Sequence, residues 1–331
     1  MDFLKLQRPS PHIRTYTIFA SIYFFLAFIQ LSLKIHLTPN WTNGTLDSTH
    51  QQLMAFQYAN NEQSRLLQFI VPEILHRLLN ISIINAYIIQ RWMFTFLMFL
   101  GFHLYLRAWF DDKLAFGCVL FLAATMPLTY MNDLQESTPL LLLTFLLSLW
   151  AIRENRLILY TLALAVGALN NETVLILPFV YVCYSWRGFQ WRSLLHLALR
   201  TALTSLPAYA IVGTIRYATR DRPRLAEFWQ LDTNLHYLSA QLFVPWFDYW
   251  RAEFLHFFFL FGFIWVYAFL FFAQKPIFLR RSGLLVPIFV AFHFVGGLIN
   301  EIRLFLPLAF LLIPMGVLYL FPEHVPEPAA P

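Results

Sequence analysis

Asp47 stands in the polar stretch Asp47-Ser48-Thr49-His50 and is the first acid of an otherwise polar connection. A carboxylate there can act as a general base if a nearby cation keeps it ionised and aims it at an acceptor hydroxyl. It can equally be a solvated loop side chain, the ordinary habit of aspartate. Downstream come Tyr58, then Arg65, Pro72, Glu73, His76 and Arg77. Arg65 and Arg77 offer forked donors that match phosphate oxygens. Glu73 and His76, three apart, share a helix face and read as a hydrogen-bonded pair. A metal needs three or four convergent ligands, so no metal and no other cofactor is expected.

Two further groups lie far along the chain. Asn170-Asn171-Glu172-Thr173 interrupts apolar sequence, and Glu172 can orient an acceptor or pair with an arginine. The structural alternative is that Asn171 and its neighbours turn two short helices and cap the second. Glu301-Ile302-Arg303 carries opposite charges two apart, which do not face each other on a regular helix, so each is expected to find another partner. Arg303 can clamp a phosphate or snorkel at a membrane interface.

The elements that must position these residues are helices in lipid. Of 331 residues, 59% are hydrophobic and 12% charged, about half the charged share of a soluble domain. Apolar runs near 14-37, 81-106, 114-130, 140-152, 157-169, 173-186, 194-213, 254-274, 283-299 and 304-320 predict an all-α polytopic membrane protein of about ten spans. The runs at 140-152, 157-169 and 173-186 are short for a bilayer and suggest tilted or broken helices. Leu140 to Ala151 and Phe257 to Ala273 are apolar on nearly all faces, which excludes the alternating strands of a membrane barrel. Residues 1-321 are expected to form a single membrane domain, and the Pro-rich 322-331 a disordered tail.

Arg107 and Lys113, Arg153 and Arg156, Arg187 and Arg192, and Lys275, Arg280 and Arg281 fall in short loops on one side, which predicts cytoplasmic N- and C-termini. The long connections 38-80 and 214-253 then lie outside. The second is rich in Trp229, Tyr237, Trp246, Tyr249 and Trp250, as in an interfacial helix. Asp47, Glu62, Arg65, Glu73, His76, Arg77, Asp133, Glu136, Glu172, Glu301 and Arg303 share that outer side. The formal charge of +5 is dispersed, with no nucleic-acid surface. Cys118 and Cys183 sit in apolar runs and suggest no disulfide.

An acid after the first span, followed by Tyr58, Arg65-Leu66-Leu67 and Pro72, resembles the GT-C fold integral membrane glycosyltransferases and uncharacterised bacterial relatives. Asn170-Asn171-Glu172-Thr173 is similar to an Asn-Arg-Glu-Thr motif of those relatives, with Asn171 in the place of the arginine. Ser48 follows Asp47 where many members carry a second acid. The resemblance implies transfer of a sugar from a polyprenyl-phosphate carrier to an acceptor on the non-cytoplasmic side, in a bacterial inner membrane. It implies Asp47 as the catalytic base; in such a reaction Arg65, Arg303 and Arg77, by their guanidinium chemistry, are the expected phosphate ligands, with Tyr58, Asn171, Glu172 and Glu301 in support. Membrane lipids and the lipid-linked sugar would be its partners. A transporter or flippase, in which Glu172 and Glu301 act as coupling groups, and a non-catalytic complex subunit remain the alternatives.

Overall fold

The computed structural model describes residues 11–39, 41, 45–58, 61–130, 136–222, 229–242, 257–299 and 301–322. The expectations for Asp133, Trp246, Tyr249, Trp250 and the Pro-rich tail beyond 322 lie outside the described residues. Among the described residues there is helix and turn and no strand.

In chain order the helices are α1 (Pro11–Leu37), α2 (Leu46–Met54), α3 (Leu66–Leu79), α4 (Ile83–Leu106), α5 (Asp112–Thr125), α6 (Thr138–Arg153), α7 (Leu157–Asn170), α8 (Leu177–Ser185) and α9 (Trp191–Ala218). They are followed by α10 (Leu231–Leu242), α11 (Ile264–Tyr267), α12 (Ile277–Ser282), α13 (Leu285–Gly296) and α14 (Ala309–Leu320). Local chemistry sets several boundaries. Asn80 adopts a left-handed conformation (φ 51°) that ends α3, and the Ser82 hydroxyl accepts the Asn85 amide to start α4. Asp111 starts α5 by accepting the Leu114 amide at 2.8 Å.

Among the described residues, six helical segments are long and apolar enough to cross a membrane: Tyr16–Leu37, Ile83–Leu106, Asp112–Thr129, Trp191–Ala218, Ile277–Gly296 and Ile302–Leu320. Thr138–Arg153, Leu157–Asn170 and Glu172–Ser185 are apolar but shorter, as their sequences suggested. The expected span at 254-274 differs. From 257 onward it is a run of turns around the four-residue α11, because Gly262 (φ 53°) and Phe271 (φ 50°) both take left-handed backbone that a continuous helix cannot contain. Ten continuous spans are therefore not what the described residues form.

The surface suits lipid. Leu195, Leu199, Leu203 and Leu206 on α9, Phe25, Phe28 and Ile29 on α1, and Ile158 and Leu162 on α7 all point away from the protein. Apolar stripes of that length would be costly in water and are satisfied by hydrocarbon, which makes the architecture compatible with a multi-pass membrane protein. At the centre, Ala309 to Leu318 of α14 is buried without interruption. That helix is apolar on every face because protein surrounds it. α6 and α7 form an antiparallel pair with α9 against α7, and α4 packs on α1, α3 and α6. Gly167 permits this closeness: a Cβ there would lie 2.8 Å from Val174 and 3.0 Å from Thr144.

Candidate functional site

The chain reverses at the end of each helix, so α1, α5, α7 and α9 deliver their C-terminal ends, and α4, α6 and α8 their N-terminal ends, to one end of the bundle. Most of the residues singled out in the sequence meet there. Asn170 and Asn171 make the sharpest turn. Asn170 donates from Nδ2 to the Ser137 carbonyl at 2.8 Å, fastening the end of α7 to the start of α6. Asn171, in extended conformation, accepts the Thr173 amide on Oδ1 at 3.0 Å and caps the 3-10 turn Glu172–Ile176. Asn171 is thus a cap, and Glu172 is the member of the tetrad that faces the cleft.

Glu172 accepts from Arg216, near the C-terminal end of α9, with Nε 3.0 Å from Oε2. Ser64, Arg65, Ala168, Glu172, Val212, Ile215 and Arg216 line a cleft of about 270 Å³ counting its open mouth, of which about 10 Å³ admits the centre of a water molecule. That is space for about one water and too little for a sugar without some opening.

Arg65 stands where the 3-10 turn Asn61–Ser64 gives way to α3. Burial, then the positive charge of Arg303, push its guanidinium below the ordinary arginine range, against the opposing pull of Glu62, Glu172 and Glu301. Residues separated by more than half the chain are thereby brought into one electrostatic cluster. The Nη1 atom of Arg65 is sealed from solvent and has no hydrogen-bond partner among the described residues. Tyr58 borders the cluster: burial first, and the nearby Glu62 carboxylate second, raise its phenol above the ordinary value.

Glu301 and Arg303 depart from expectation. Their charges were expected to seek separate partners, yet Arg303 Nη2 donates to Glu301 Oε2 at 2.8 Å. The α-helical rule does not apply because Glu301 precedes a 3-10 segment, Ile302–Leu308, and has non-helical backbone (φ −78°, ψ 66°). Arg303 is 6% exposed, so it is a buried cation and not a snorkelling one.

Arg77 and Asp47 lie apart from this cluster. Arg77 is exposed and bonds Glu73 one turn away on α3 at 2.5 Å. Glu73 also bonds His50 Nε2 at 3.1 Å, and His50 in turn meets the Tyr87 hydroxyl at 3.1 Å. The expected pair of Glu73 with His76 does not form, since His76 turns to the Ile81 carbonyl instead. Asp47 sits exposed in the first turn of α2, and it is not among the charges that perturb Arg65. Among the described residues no three His, Cys, Asp or Glu side chains converge as metal ligands.

Sequence reasoning passed over two arginines. Arg216 closes the cleft opposite Arg65, and Arg91 forms a buried ion pair with Glu136 at 2.9 Å. Arg91 stacks over the Tyr130 ring at 5.2 Å, while Tyr130 donates to Gln30 at 2.8 Å. The signal for Arg91 was present: a guanidinium within the apolar run 83-106 is costly unless something inside the bundle receives it.

The chain matches no protein-family model, no curated protein and no solved structure.

Proposed function

We propose that this chain is a membrane-embedded transferase acting on a lipid-linked phosphate at the cleft of Arg65, Glu172 and Arg216, with Arg303 in the same electrostatic cluster. The reading takes it as a GT-C-like glycosyltransferase that moves a sugar from a polyprenyl-phosphate carrier to an acceptor on the non-cytoplasmic side. The observation that carries it is the Nη1 atom of Arg65, sealed from solvent in the cleft it shares with Glu172 and Arg216 and without a hydrogen-bond partner among the described residues. A buried guanidinium donor of that kind suits a phosphate oxygen, which can accept from it directly.

In the proposed step, the acceptor oxygen bonds to the anomeric carbon while the bond from that carbon to the phosphate oxygen breaks. The bonding pair leaves with the polyprenyl phosphate, and the acceptor proton passes to a carboxylate. The resemblance gives the role of base to Asp47, with Glu172 the carboxylate that borders the cleft itself. Arg65, Arg216 and Arg303 balance Glu62, Glu172 and Glu301 in number, so a protonated carboxylate leaves guanidinium charge in excess just as phosphate charge develops. Arg77, tied to Glu73 and exposed, has the weaker claim as a phosphate ligand.

The reading keeps the fuller topology of about ten crossings, with both termini cytoplasmic in a bacterial inner membrane, the short helices tilted or broken. Its support is the segregation of charge: the loops holding Arg107, Arg153, Arg187 and Arg281 lie at the end opposite the cleft. Purified protein with a polyprenyl-phosphate sugar and a panel of acceptors tests the activity. Transfer lost in Arg65→Gln, and in either Asp47→Asn or Glu172→Gln, is the expected result. Full transfer in all three variants sinks the assignment.

A transport reading is favoured by one feature, the break between α7 and α8 at Asn171 beside charged side chains. Substrate uptake into proteoliposomes without any sugar transfer would select it.

A further inference from the structure

A second cavity, of about 760 Å³, opens at the end of the bundle opposite the Arg65 cleft, between α8, the first turns of α9, the end of α6 and the start of α12. Its volume lies within the range of small-molecule sites. Arg187, Arg200 and Arg281 line it together with His196, Ser193 and Tyr184, and no carboxylate does. The acids of this end are engaged elsewhere. Asp112 is held by Arg107 at 2.8 Å, Glu154 by Arg153 at 2.9 Å, and Asp111 caps α5. Arg281 is built in: its Nη1 donates to the carbonyls of Tyr184 at 2.7 Å and Trp186 at 2.8 Å, closing the C-terminal end of α8. Arg187 and Arg200 are exposed and make no ion pair among the described residues.

Ile152, Leu197 and Ile277 supply the apolar part of the wall, and Asn155, Tyr181 and Ser185 complete it. On the adjoining face of α9, Leu195, Leu199 and Leu203 are exposed in a stripe. Phe189 and Trp191, both well exposed beside the cavity, are the aromatic residues that mark the level of lipid headgroups. Cation-lined polar space on a helix whose adjoining face carries an exposed apolar stripe has the chemistry of a phospholipid seat, with guanidinium donors for the phosphate and leucine for the chains.

We infer that this cavity binds a phosphate-bearing anion, supplied by the membrane as the headgroup of an anionic phospholipid. The site is independent of the transferase reading, shares no residue with the Arg65 cleft, and stands whether or not sugar transfer is found.

The test uses the full chain in nanodiscs of phosphatidylglycerol or of phosphatidylcholine, with bound lipid counted by native mass spectrometry after release. Retention of phosphatidylglycerol over phosphatidylcholine is expected, falling about fivefold for each arginine removed in Arg187→Gln and Arg200→Gln. Neither side chain holds the fold, and unchanged melting of the variants verifies that. In phosphatidylcholine nanodiscs, saturable binding of inorganic phosphate that the double variant loses would support the anion site with a free phosphate as its source. Equal retention of both lipids, or retention and phosphate binding unaltered in the double variant, overturns the proposal.

Discussion

Arg91 Nη1 and Glu136 Oε2 are 2.9 Å apart with side chains 3% and 1% exposed, joining the middle of the chain's second long helix to the entry of α6. Removing one partner takes from the other its buried counter-charge at 2.9 Å. Arg91→Leu or Glu136→Leu is therefore expected to cost about 3–5 kcal/mol, whereas the double substitution recovers much of that loss. Thermal unfolding of the purified variants in one detergent checks it. Similar losses in the single and double variants would reject the coupling.

Gly167 carries the contact between α7, Val174 and Thr144. Gly167→Ala puts a methyl group 2.8 Å from Val174 and is expected to destabilise by about 1–3 kcal/mol, despite alanine being the better helix former. A melting temperature equal to or above that of the parent would show that the neighbours yield freely.

Asn234, on α10, donates to the carbonyls of Phe294 and Gly297 at 2.7 Å each and accepts the Ile299 amide at 2.9 Å. It fastens α10 to the backbone leading into Glu301 and Arg303. Asn234→Ala should loosen both segments at a cost of about 2 kcal/mol. Faster amide exchange at 297–299 and in α10, with α4 unchanged, is the expected pattern.

Glu73 supplies a pH dependence. Burial works to raise its carboxyl, but hydrogen bonds from His50 and Arg77 and the charges of both outweigh that and hold it below the ordinary value of 4.5. A folded value below the unfolded one means that the stabilisation is complete above the unfolded value and disappears as pH falls through the folded one. Glu73→Gln should thus melt lower than the parent at pH 7, by about 1 kcal/mol, with the two converging in acid. A difference that persists unchanged below the folded value would place the effect in packing and not in charge.

Much of the helical layout was legible because apolar run length and short basic loops are strong signals of spans and their order. The failure at 254-274 is instructive. Phe and Trp fill that stretch as they would a span, and only backbone conformation at Gly262 and Phe271, invisible in hydropathy, breaks it. At the site, Arg65, Glu172 and Arg303 could be named from their cost in or near lipid, but their convergence depends on folding across more than 200 residues. Arg216 was hidden because an arginine at the end of a long helix looks like any interfacial cation. The Glu301–Arg303 pair was misread since the spacing rule assumed an α-helix where the chain is 3-10.

The enclosed position of α14 also bears on biosynthesis. Helices that enter the bilayer one after another leave the ribosome with the central place vacant, because the segment that fills it follows the helices described around it, α1 to α13, in the chain. Until Ala309 to Leu318 arrives, the surrounding helices have only lipid or chaperone to contact on their inward faces. Assembly therefore finishes late, and a chain stopped before α14 should be recognised by membrane quality control even though most of its spans have been made.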